Sequence, residues 1–105
     1  MAKVIVDAGI CGFKTTIRTR MEGDAVRISL VSDCPAIEAL GKALPEVDPY
    51  KEISARRAIP KTLEAGLKHC THAACPVPAG IIKAVEVAAG LALPRDAHIE
   101  VSADD

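Results

Sequence analysis

A chain of 105 residues is the length of one ordinary domain, and with half of its residues apolar it can bury a core of its own. Its formal charge of −1, with acids and bases interspersed, gives no electrostatic case for nucleic acid or an anionic membrane, and no run of about 20 apolar residues offers a membrane span. Phe13 and Tyr50 are the only aromatics, so packing falls to Val, Ile, Leu and Ala, a composition that favours close contact between elements over a roomy pocket for a bulky organic ligand.

The opening MAKVIVDAG reads as a short, well-covered strand over Lys3–Asp7 rather than as a secretory leader. From Phe13 the pattern has period two. Phe13, Thr15, Ile17, Thr19 and Met21 point one way, and Lys14, Thr16, Arg18 and Arg20 point the other. Glu22-Gly23-Asp24 is a turn, after which Val26, Ile28 and Leu30 alternate with Arg27 and Ser29. Residues 13–31 are therefore expected to form a β-hairpin with one apolar face and one basic, wet face.

Asp33-Cys34-Pro35 ends the strands and opens a helix, since Pro in a first turn lacks only an N–H that would be unpaired anyway. Ile37, Leu40 and Leu44 follow at helical spacing, and Pro45 stops the run. Asp48-Pro49 is a second start, predicted to run to Arg57. A third helix spans Lys61 to His69, with Leu63 and Leu67 on one face. Two prolines keep Cys70 to Pro78 irregular. From Pro78 to Pro94 an almost wholly apolar helix is expected, and one so poor in polar residues belongs at the centre of the domain. His98–Val101 is a candidate short last strand. Strands first and helices after predict a single α+β domain over 1–105. It consists of a three-stranded antiparallel sheet, with that candidate fourth strand at its C-terminal end, covered on one face by helices.

The chemistry-bearing residues are the four cysteines. With no leader sequence they point to a reducing, cytoplasmic setting, where thiols serve as ligands or redox groups more often than as disulfides. None falls in the middle of an element. Cys11 lies in a glycine loop between strands, Cys34 at a strand-to-helix junction, and Cys70 and Cys75 bracket the loop before the apolar helix. Ligand thiols collect at element ends, where several loops can meet. Cys34 and Cys75 precede helix starts, whose free N–H groups favour thiolate. Gly9 and Gly12 leave room for a guest, and for backbone amides, beside Cys11. His72 lies inside Cys-x4-Cys and could add a nitrogen; His69 reads as a helix-end cation, and His98 as structural or solvated. Against this stands the bland reading that Cys70 simply continues the Leu63/Leu67 stripe into the core.

Laid out this way, "GICGF" (9–13), "VSDCPAIEAL" (31–40) and "ACPVPAGIIKAVEVA" (74–88) resemble the iron–sulfur cluster assembly scaffold family, of the IscU / NifU N-terminal type. The resemblance implies helices packed on a three-stranded antiparallel sheet. It implies a surface site that carries zinc or a transient iron–sulfur cluster and hands it to assembly or acceptor proteins. By position it makes Cys11, Cys34 and Cys75 the ligands, with Cys70 as the other candidate for the third place.

Three functions follow as expectations. The first is a metal- or iron–sulfur-cluster-binding protein of scaffold or carrier type, with Cys11, Cys34, Cys70 and Cys75 as ligands and His72 in reserve. The second is a thiol-redox or sulfur-carrying protein with Cys11 or Cys34 as nucleophile, which the lack of Cys-x-x-Cys disfavours. The third is a metal-free interaction module presenting Lys14, Arg18, Arg20 and Arg27, whose plainer reading is an ordinary solvated sheet face. No Ser-His-Asp arrangement, phosphate-binding glycine loop or His-x-x-x-His pair points to hydrolysis, so the pattern favours a binder over an enzyme.

Overall fold

A computed structural model describes residues 1–104. The elements run β1 (Ala2–Asp7), β2 (Lys14–Glu22), β3 (Ala25–Ser32), α1 (Pro35–Ala43), β4 (Glu46–Val47), α2 (Pro49–Glu52), α3 (Lys61–His69) and α4 (Val77–Ala88). The strands form one antiparallel sheet in the order β1-β2-β3-β4, so the fold is α+β as the element order predicts. The fourth strand is not the expected one. Glu46–Val47, straight after α1, pairs with Val26 and Arg27 of β3, whereas His98–Val101 is exposed and joins no sheet. Two residues carry no periodicity, which is why the sequence does not announce β4.

Period two holds across the hairpin. Thr15, Ile17 and Thr19 of β2 and Val26 and Ile28 of β3 are buried beneath the helices, and Arg18, Arg20, Arg27 and Ser29 face water. β1 is an edge strand and is not well covered: Val4 and Val6 are half-buried against the helices, while Ile5 on the far face is 61% exposed. The core joins Ile17, Val26 and Ile28 of the sheet to Ile37, Leu40 and Leu44 from α1 and its end, and to Val77, Ile81, Ala84 and Val85 of α4. As its composition predicts, α4 is the central helix. It lies directly on the sheet at Gly80, where a Cβ would stand 2.6 Å from Val6 Cγ2. One turn on, Thr19 Oγ1 donates a 2.7 Å hydrogen bond to the Ala84 carbonyl.

Two helix ends and one buried helix face differ from expectation. α2 ends at Glu52 rather than Arg57. The Glu52 side chain is 2% exposed and turned onto the start of α3, where it accepts bonds from Lys61 N (3.0 Å), Thr62 N (2.8 Å) and Thr62 Oγ1 (2.6 Å). Pro60, the N-cap of α3, has no side chain able to do this, so a carboxylate from the previous helix caps it. The buried face of α3 is Thr62 and Gly66, not Leu63 and Leu67; Leu67 is 78% exposed. α4 stops before Pro94, with Gly90 N–H bonded to Val87 O and Leu91 N–H to Glu86 O, the two bonds of a Schellman cap.

Candidate functional site

The β1–β2 connection folds tightly around Cys11. Ala8 N–H bonds to Phe13 O at 3.2 Å and Gly12 N–H to Gly9 O at 2.9 Å, while Asp7 Oδ1 accepts from Gly9 N–H at 3.3 Å. Asp7 is thus a turn residue. Gly9 (φ +92°) and Gly12 (φ +73°) hold left-handed backbone that a side-chain-bearing residue rarely adopts. Their role is this loop shape. Their own N–H groups are bonded within the loop, and neither residue is among those that line the cavity described next.

Cys34 is the N-cap of α1, yet its side chain makes no capping hydrogen bond, so the sulfur is left free. Its backbone is held from elsewhere. Cys34 N donates to Ser32 Oγ (3.1 Å), Ser32 Oγ pairs with Thr15 Oγ1 (2.8 Å), and Glu38 Oε1 accepts from Ser32 N (3.1 Å). Cys70 is the C-cap of α3, tied by its N–H to Gly66 O at 2.9 Å. Cys75 follows a turn closed by its N–H on His72 O and stands one residue before Pro76, the N-cap of α4.

These three junctions open on one cavity of ≈ 360 Å³. Cys11, Cys34, Cys70 and Cys75 all line it, and so does His72. Its remaining wall is mostly apolar, with Ile10, Phe13, Ile37 and Val77 among the contributors. The size falls in the range of small-molecule pockets, contrary to what the small-residue composition suggests. It is a crevice where three loops meet rather than a void between core side chains, and composition does not report loop meetings. Cys34, Cys70 and Cys75 are half-buried against the edge of the core, and Cys11 is exposed at the mouth. His69 and His98 are not among the lining residues.

The thiols sense one another. Cys70 is pushed up to about 11, first by burial, then by the charge of Cys75 and a hydrogen bond with it, then by the charge of Cys34. Among the described residues no Lys, Arg, Asp or Glu lines the cavity, so none of them supplies a side-chain cation to favour thiolate. Among the described residues, no group of three or more His, Cys, Asp or Glu side chains is arranged to hold a single metal ion as it stands. On the far side of the sheet, Arg20 and Arg27 share Glu22 (3.0 and 3.8 Å), and Arg27 also reaches Glu46 (3.5 Å).

Sequence reasoning named all four cysteines and His72. It missed the Thr15–Ser32–Glu38 scaffold behind Cys34 and the walls formed by Phe13, Ile37 and Val77. Phe13 and Thr15 carried only a strand signal and Ile37 only a helical one.

A profile of the family DUF6951, described as a family of unknown function, matches residues 2–101. The chain belongs to DUF6951. That finding corrects the resemblance to the IscU / NifU scaffolds, which rested on three cysteines and their flanks. Gly beside a loop thiol and Pro after a thiol at a helix start are what such positions require in any fold, so these flanks do not mark a lineage. No curated protein and no solved structure matches this DUF6951 chain. None of its helices, among the described residues, is long and apolar enough to cross a membrane.

Proposed function

We propose that this protein binds a thiolate-held metal centre in the crevice, with Cys11, Cys34, Cys70 and Cys75 as donors and an iron–sulfur cluster as the guest that fits better than a single zinc ion. The observation that carries the reading is the meeting of all four cysteines, from three separate stretches of chain, on one cavity. Soft sulfur donors select zinc, Cu(I) or iron–sulfur clusters. Four thiolates on one zinc ion at about 2.3 Å crowd to within about 4 Å of one another. Cluster ligands stand further apart, because they bind different iron atoms. A ring of thiols around ≈ 360 Å³, with no ready-made single-ion grip, favours the wider spacing. The apolar wall would shield a cluster from water, and the exposed Cys11 loop leaves one side open for exchange with an acceptor protein. A cytoplasmic, reducing setting belongs to this reading, since it keeps the thiols free.

The thiol-redox reading is weaker. A nucleophilic cysteine is activated by a neighbouring cation, and no Lys or Arg lines this cavity. The decisive experiment is anaerobic purification of the full chain, with metal and sulfide analysis and a visible spectrum, repeated on Cys34→Ser and Cys75→Ser variants. Iron with equimolar sulfide and coloured protein, lost in both variants, is the expected result. Colourless protein free of iron, zinc and copper after anaerobic reconstitution overturns the proposal.

A further inference from the structure

Residues 93–104 leave the domain without secondary structure, and within them Ile99 and Val101 are 80% and 89% exposed. His98-Ile99-Glu100-Val101 alternates polar and β-branched residues, the pattern of a half-buried strand. At the other end of the chain β1 is the open edge of the sheet. Val4 and Val6 are only half-covered on its helix side, and Lys3 and Asp7 face water on the other. An open edge of this kind is a template for another strand.

We propose that residues 98–101 are a strand donated to a second copy of this chain, where they pair antiparallel with the free edge of β1. The inference is independent of the thiol site. Its register follows from side-chain chemistry. Setting Ile99 against Val6 and Val101 against Val4 extends the apolar side of the sheet, and the same register places His98 against Asp7 and Glu100 diagonal to Lys3. A shift of one residue turns Ile99 and Val101 to the solvent face. Direction decides between copies. Gly80 of α4 lies over Val6 and Ala84 bonds to Thr19, which is paired with Ala2, so α4 runs towards the Ala2 end of β1. A tail turning straight back from there onto its own β1 would run parallel to it. The antiparallel register belongs to a neighbour, and exchange of two such tails closes a two-fold dimer.

The test is sedimentation equilibrium of the full chain and of an Ile99→Asp/Val101→Asp variant, joined to a cross-linking assay. In that assay a Val6→Cys copy and an Ile99→Cys copy are mixed, oxidised and mapped by mass spectrometry of the linked peptides. Each copy carries one partner only, so a 6–99 link is intermolecular. A concentration-dependent dimer, lost in the double variant and linked 6–99 in the mixture, is the expected result. The altered tail residues are exposed and outside the core, so an unchanged circular dichroism spectrum is expected alongside. A full chain that is monomeric at every concentration, a dimer that survives the double variant, or a dimer without the 6–99 link overturns the inference.

Discussion

Cys70 closes α3, Cys75 stands just ahead of α4, and the two thiols line one cavity from either end of the four-residue loop between them. Burial and the proximity of Cys75 hold the Cys70 proton until about pH 11 in the metal-free protein, against an ordinary value of 9.0. At pH 8 the thiolate fraction of such a group is about a hundredfold below that of an unperturbed thiol. Exposed Cys11 should therefore be alkylated first in the metal-free chain and Cys70 last, with the gap narrowing as pH rises from 8 towards 11. Peptide mapping after timed alkylation reads this directly. The same shift has a sign for stability. A raised pKa means that the folded state holds the proton more tightly, so this contribution is complete below pH 9 and fades between pH 9 and 11. Denaturant midpoints across that window should fall in the wild type and fall less in Cys70→Ser.

Glu52 supports the same thiol from a distance. Its carboxylate holds the first two residues of α3, and Cys70 ends that helix. Glu52→Ala strands two N–H groups and the buried Thr62 hydroxyl, and should cost about 3 kcal/mol. Glu52→Gln keeps an acceptor oxygen but loses the charge that suits a helix start, and should cost about 1 kcal/mol. Urea denaturation of both variants checks the order. Equal losses would mean that the charge of the carboxylate, rather than its shape, carries the cap.

Why Glu52 was invisible in the sequence, while the cysteines were not, is a matter of range. Period two, the Cys34-Pro35 and Asp48-Pro49 helix starts and the apolar run of α4 are local signals, and they placed β2, β3 and the starts of α1, α2 and α4 to within a residue. A cap delivered from Glu52 to Thr62, ten residues on, obeys no spacing rule, and its absence from the reading let α2 run too long. The strand pattern of His98–Val101 is also a local signal, but pairing requires an edge met in the right direction, and a tail turning straight back from α4 meets the free edge of its own β1 only in parallel. For the site, the cysteines declared themselves by sitting at element ends. That those ends face one crevice is a product of how α1, α3 and α4 pack on the sheet.

The packing of α4 on the sheet can be tested at Gly80. A side chain there meets Val6 Cγ2, part of a stiff β-branched residue on β1. Gly80→Ala should cost about 1–3 kcal/mol by lifting the helix, less about 1 kcal/mol recovered from helix propensity. Gly80→Ala combined with Val6→Ala should recover most of the loss, because the second change removes the methyl that collides. Thermal melts of the four proteins of this cycle measure the coupling; additive losses would show that the contact is not where the strain lies.

Cys11 depends on loop shape, and the loop allows that to be separated from overall stability. Gly12 holds φ +73° with no atom near the position of a Cβ, so Gly12→Ala is penalised by its backbone alone, by about 1 kcal/mol. Gly23 is the matched control. It has φ +62° and equally open surroundings, and it lies in the β2–β3 turn, whose residues do not line the cysteine cavity. The two Ala variants should lose similar stability. If Cys11 is a ligand, Gly12→Ala and Cys11→Ser should lower retained metal together, and Gly23→Ala should leave it unchanged. Metal content per chain, measured after dialysis against a weak chelator, distinguishes the three. Full retention in Cys11→Ser would reduce the donor set to Cys34, Cys70 and Cys75, with His72 as the fourth group lining the cavity.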